Sequence, residues 1–215
     1  MLIPPMDEVK PPRRWTQRRN GVRAQKAAAT RQALIAAARA LFTERGYHGV
    51  SVRDVTAQAG VTHGALAHHF DDKEALYLAV FDAVERELIA QSGASRAGPQ
   101  ADPWSRFRTS VQLYLEAATR PDVQRITLID GPAVLGWRRW RELEEGYSLG
   151  ALTSAMQAAM DAGRIRKRPV GPLAHLILGS VMEAALLVAN SDDPALRRVE
   201  VGQALDDLLG GLERG

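Results

Sequence analysis

Three histidines, His63, His68 and His69, lie close together in the sequence, with Arg53, Thr62 and Lys73 around them. Side chains of these types can ligate a metal, move a proton or hold an anion. Zinc-binding helices set two histidines four residues apart on one face. Here the spacings are five and one, and the chain has no Cys to complete a thiolate site. Proton transfer in a catalytic site comes with a recognisable partner pattern. The sequence has no Gly-rich phosphate loop, no GxSxG elbow and no HExxH. Asp130, Glu142, Glu144, Glu145 and Asp161 could supply a carboxylate pair, but their spacing gives them no geometry. No catalytic residue, metal or cofactor is therefore expected. Anion binding remains.

The charge distribution agrees. Residues 1–70 carry 11 Lys and Arg against 4 Asp and Glu, whereas residues 71–215 carry 17 against 21. A basic head on a mildly acidic body suits a polyanion partner for the head. A basic tail with no partner has the same composition. Apolar residues make up 46% of the chain, ordinary for a globular protein of one or two domains. There is no uninterrupted apolar run of membrane-spanning length and no long apolar core near the N-terminus. A cytoplasmic protein without a membrane partner is expected, and the lack of Cys fits a reducing compartment.

The elements that would position these residues are helices. Apolar residues recur at helical spacing from about Thr30, and no alternation is long enough for a strand. The pattern predicts an all-α chain of about nine helices. Residues 1–27, with four prolines and a run of Arg and Lys, read as a disordered basic arm. The first helix is expected over about Thr30–Arg45, stopped by Gly46. Ser51 and Asp54 have capping-box spacing and open a second helix that ends at Gly60. Thr62 caps a third, His63 to about Phe70, and Asp71 or Asp72 a fourth, reaching about Ser92. After a loop over 93–102 come Pro103 to about Thr119, Pro121 to about Gly131-Pro132, Trp137 to Ala162, Pro172 to Asn190 and Pro194 to Leu212. Gly146 and Gly150 are possible bends in the long helix.

Two short capped helices joined through Gly60-Val61-Thr62 have helix-turn-helix spacing, and the second would enter the major groove. Together with ALIAAARALFTERGY before them and DKEALYLAV after them, SVRDVTAQAGV and GALAHHF resemble the tetracycline-repressor (TetR) family of bacterial regulators, over about residues 28–88. The segment LIDGPAVLGWRRWRELEE, Leu128 to Glu145, looks like a C-terminal type found in that family. The resemblance implies a DNA-binding domain over 28–88, a ligand-binding and dimerisation domain over 89–215, and a homodimeric regulator, commonly a repressor. It would bind a near-palindromic double-stranded DNA operator and be released by a small-molecule effector.

The same resemblance assigns DNA contacts. Arg53 matches a position that reaches a base or phosphate, and is otherwise a surface arginine. Thr62 matches the capping hydroxyl, which caps alone or also meets a phosphate. His63 and Gly64 match the base-reading front of the recognition helix, His68 a contact to a base or thymine methyl, and His69 and Lys73 phosphate contacts. Two positions depart from the family. Ala65 replaces the usual Thr or Ser, and Ala67 the usual Tyr. At ~1 kcal/mol per hydrogen bond, each loss would weaken binding roughly fivefold to tenfold. The basic arm could compensate from the minor groove or the phosphates; a DNA-binding protein of little sequence specificity, or with weakened DNA binding, is the alternative. DNA-facing imidazoles would tighten binding as pH falls.

In the second half, Trp104, Phe107, Tyr114, Trp137, Met156 and Met160 offer apolar walls for a ligand pocket, with His175 and Glu183 as polar groups. Plain core packing explains the same residue types. Leu173, Leu176, Ile177, Ser180, Val181, Ala184, Ala185 and Val188 form one apolar stripe, and Val201, Ala204, Leu205, Leu208 and Leu209 a second, suited to a four-helix dimer interface.

Overall fold

No proline interrupts the chain between Pro12 and Pro99, and Ala, Arg, Gln and Lys dominate residues 23–33. All four are strong helix formers. The computed structural model describes residues 14–93 and 101–213, with backbone alone over 14–22 and 92–93. It contains one unbroken helix, α1, over Arg14–Arg45. This corrects the expected start near Thr30. Leu34, Ala38, Leu41 and Phe42 are buried and anchor the helix. Extension toward the N-terminus then adds one hydrogen bond per residue without a new nucleus. Residues 14–27, expected as part of a disordered arm, are thus helical, while residues 1–13 lie outside the described residues.

The other helices are α2 (Val52–Ala59), α3 (His63–His69), α4 (Lys73–Gly93), α5 (Pro103–Ala117), α6 (Asp130–Leu135), α7 (Trp137–Asp161), α8 (Val170–Ala189) and α9 (Pro194–Gly210). A π-helical segment, Val123–Ile129, runs into α6. Among the described residues there is no strand, only an isolated bridge between Ile165 and Glu213. The all-α architecture expected from the sequence is found. α7 runs unbroken through Gly146 and Gly150. The expected loop over 93–102 falls mostly on residues outside those described.

The expected helix end at Gly131-Pro132 is absent, and the chain stays helical to Leu135. Pro132 has no N–H to donate. The segment before it is wound more loosely, with the Asp130 N–H donating five residues back to Arg125 O. In that register the Thr127 carbonyl faces Pro132 and receives nothing from it. The Trp140 indole donates to it instead, at 2.8 Å, from a fully buried position. Gly131 permits the approach, because a Cβ there would sit 2.9 Å from the Trp140 ring. Tyr77 Oη donates to the adjacent Ile126 carbonyl at 2.5 Å.

α4 is the shared element. It touches α1, α5, α7 and the π-helical segment. Its Leu76, Tyr77, Val80, Phe81 and Val84 are buried, and the Tyr77 ring meets Phe42 of α1 edge-on with centroids 5.5 Å apart. α8 is long and apolar enough to cross a membrane by length and composition, although half of that stretch is buried inside the fold. A helix apolar all round needs cover on several faces; here α7 and α9 supply part of it.

Candidate DNA-binding surface and ligand cavity

The helix-turn-helix is built by its caps. The Asp54 backbone N–H donates to Ser51 Oγ at 3.2 Å, and the Asp54 carboxylate accepts from the Ser51 N–H at 2.8 Å. The capping box predicted from sequence is therefore present, with Asp in place of the usual Glu. The Ser51 hydroxyl also donates to this carboxylate and holds it below the usual carboxylate range. Gly60 closes α2 with φ 65° and ψ 31°, a left-handed conformation that favours glycine. Thr62 then caps α3, its Oγ accepting from the Ala65 N–H at 3.2 Å. Val55, Leu66 and Phe70 point into the core and fix the two short helices on the body.

The outward face holds the residues proposed to meet DNA. Arg53, Thr62, His63, Gly64, Ala67 and His68 are exposed, and Ala65, His69 and Lys73 are half-buried. The His68 and His69 rings lie 5.3 Å apart, in edge contact. Lys73 Nζ sits 4.0 Å above the Tyr47 ring, and partial burial lowers its pKa. Tyr47 thus aims the lysine, a role that no spacing pattern marked. Arg31 of α1 lies over Phe70, 5.2 Å from the ring centroid, and adds a cation behind α3. Among the described residues no three His, Asp or Glu are gathered as for a metal ion.

Several contacts tie this head to the second half of the chain. The Tyr47 backbone N–H donates to Asp130 Oδ2 at 2.7 Å. Arg39 of α1 bonds Glu87 at 2.8 Å and pairs with Asp122, and Arg120 joins the same two carboxylates. Arg139 reaches Glu74 at 2.6 Å, and Tyr147 Oη donates to Asp82 at 2.8 Å. Glu74, Asp82 and Glu87 all belong to α4.

A cavity of about 480 Å³ opens between α5, α7 and α8. Of the expected pocket residues, Phe107 and Tyr114 line it. Trp104 is buried outside it, its indole N–H donating to Glu213 at 2.7 Å. Met156 and Met160 are core residues. Trp137 is 59% exposed. His175 and Glu183 are exposed, with His175 Nδ1 3.8 Å from Glu145. These six do not line the cavity, because their faces of α5, α7 and α8 turn to the core or to solvent. The walls come instead from Val111, Tyr147, Ala151, Leu152, Ala155, Leu178, Val181 and Met182, with Ser110 and Ser148 as small polar groups.

Glu144 is the one acidic residue of that wall. It is 2% exposed, and its Oε1 has no hydrogen-bond partner. Glu85 of α4 is 1% exposed, with an equally unpartnered Oε1. Burial pushes both carboxyls up, and for Glu144 the neighbouring Glu85 adds to the shift. Burial likewise raises the Tyr114 hydroxyl, with the two glutamates contributing. Sequence patterning missed Glu85 entirely. A Glu in the middle of an apolar helix face was the available signal.

Two family models match the chain. One, described as bacterial regulatory proteins of the tetR family, covers residues 34–80; the other, a tetracyclin repressor-like C-terminal domain, covers residues 104–212. The crystal structure of a TetR-family transcriptional regulator from Pectobacterium atrosepticum superposes with a TM-score of 0.79 at 36% identity, covering 89% of this chain and 97% of that one. The transcriptional repressor AcnR of Corynebacterium efficiens is 31% identical over 160 residues, 72% of this chain and 78% of its own length. FadR of Bacillus subtilis, solved in complex with stearoyl-CoA, shares the fold, with a TM-score of 0.69 at 20% identity, over 83% of this chain and 96% of that one. Matched in both halves, the chain belongs to the TetR family of non-enzymatic, DNA-binding transcriptional regulators.

Proposed function

We propose that the protein is a cytoplasmic repressor that binds a near-palindromic operator as a homodimer and leaves it when a small molecule fills the cavity. Residues 28–88 form the DNA-binding part and residues 89–215 the sensing and dimerising part. Arg53, Thr62, His63, Gly64, Ala65, Ala67, His68, His69 and Lys73 meet the DNA. The relatives support repression by name, and the FadR complex supports a small-molecule ligand in this fold.

One observation carries the reading. α4 begins at Lys73, beside the recognition helix, and carries Asp82, bonded to Tyr147 of the cavity wall. A ligand that moves Tyr147 acts on the helix that positions the DNA-binding head. It releases DNA only if it binds the released state more tightly.

Selecting bound duplexes from a randomised library tests the DNA half. A recovered near-palindrome with half-sites about one turn apart, ~34–36 Å or slightly more, is the expected result. Salt-sensitive binding with no enriched site supports a second reading, a binder of little specificity. That reading has its own observation. Ala65 and exposed Ala67 bring no side-chain hydrogen-bonding group to α3, where the resemblance expects Thr or Ser and Tyr.

A further inference from the structure

Glu144 combines three properties. It lines an apolar cavity large enough for a drug-sized molecule, it is almost completely buried, and one carboxylate oxygen lacks a partner. Buried carboxylates normally have their hydrogen bonds satisfied or a cation beside them. Arg141, one turn earlier in α7, acts on Glu144 through its charge, but its Nε is held by Glu145 at 3.1 Å. Arg106 borders the cavity but is exposed. Glu85 brings a second acid against the first from α4.

We propose that this cavity takes an apolar or aromatic compound carrying one protonated amine, with the ammonium donating to Glu144. The proposal rests on reading the cavity as the effector site. An ammonium offers three N–H donors and a charge, which a pair of acids needs and a neutral hydroxyl does not supply. The Phe107, Tyr114 and Tyr147 rings lie on the same walls and attract a cation through their faces. An anionic ligand would lose its hydration in an apolar surround whose one bordering cation, Arg106, is exposed, and is disfavoured.

The groups around Glu144 set the proton balance. Glu85 faces it from α4, Tyr114 from α5, and Arg141 and Tyr147 share its helix, while Leu178, Val181 and Met182 of α8 bring no charge. Burial, with Glu85 adding to it, raises the Glu144 pKa and favours the protonated carboxyl, while the Arg141 charge opposes the shift. As the ammonium arrives, the Glu144 proton leaves to solvent and an ion pair forms. Amine binding therefore releases a proton and strengthens as pH rises.

The test uses full-length protein and calorimetry with three molecules of one shape: diphenylpropylamine, diphenylpropanol and diphenylpropionate. At pH 7.5 the amine is expected to bind about tenfold or more tighter than the alcohol, with a heat that depends on the buffer's ionisation enthalpy. The acid is expected to bind weakest. Glu144→Gln, with its fold checked by circular dichroism, should abolish the preference for the amine over the alcohol. The wild-type comparison stands even if the variant fails to fold. Equal affinities, tighter binding of the alcohol or acid, or no amine binding overturns the proposal. DNA occupancy measured alongside separates the two readings. Selective amine binding without DNA release sinks the effector role and spares the ligand class. DNA release by the acid or alcohol with no amine preference does the reverse.

Discussion

At the scale of single residues, the two buried glutamates have a consequence for stability. Both have raised pKa values in the folded chain, Glu85 to about 8 from an ordinary 4.5. Above pH 4.5 the unfolded chain has released these protons and the folded chain still holds them. Stability from the pair is therefore complete at acid pH and is lost as pH rises toward the folded value. The unliganded protein should show a melting temperature that falls between pH 5 and pH 8. Glu144→Gln should flatten that fall, and an unchanged slope would mean the carboxyl is already ionised in the fold. The sequence named Glu144 only as one of five possible carboxylates. Position along a helix does not say which side faces a cavity until its neighbours are known, and the same ignorance put His175 and Glu183 in the expected pocket. The helix-turn-helix was readable at this scale because Ser51, Gly60 and Thr62 act on backbone groups two or three residues away.

At the scale of elements, local signals and tertiary ones part company. α2 and α3 start and stop where their caps said. α1 and the segment through Pro132 do not: α1 extends through strong helix formers from its buried end, and the Pro132 segment depends on Trp140. A proline inside a helix is tolerated here because Trp140 occupies the carbonyl that the proline leaves open. Trp140→Phe would keep the ring in the core and remove that donor. The expected cost is about 1–3 kcal/mol, the penalty of a buried unpaired carbonyl, measured by chemical denaturation. A loss below ~0.5 kcal/mol would show that the carbonyl finds another partner. The same segment presents Asp130 to Tyr47, so loosening it should also disturb the turn that holds Lys73.

At the scale of the whole molecule, the apolar pattern of α8 was ambiguous because the helix is apolar nearly all round. Leu173, Ile177, Ala184, Ala185 and Val188 of the expected dimer stripe, and Leu205 and Leu209 of α9, are buried within the chain itself. Of the expected stripes, Leu176, 71% exposed, and Leu208 stay uncovered, joined by Leu187 on α8 and Leu196 and Val199 on α9. If this face joins two copies, Leu176→Asp should give a monomer in analytical ultracentrifugation with unchanged helicity and much weaker operator binding. A dimer that survives this change, and the matching Leu208→Asp, places the interface elsewhere. The length of α1 has a mechanical consequence. Near its packed end, Arg39 is clamped to Glu87 and Asp122, while most of residues 23–29 are exposed. From Leu34 back to Arg14 the helix extends ~30 Å at 1.5 Å per residue. It is a lever whose fulcrum lies in the body. A tilt of about 5° there sweeps the far end by roughly 3 Å on that geometry, close to the rise of one base pair.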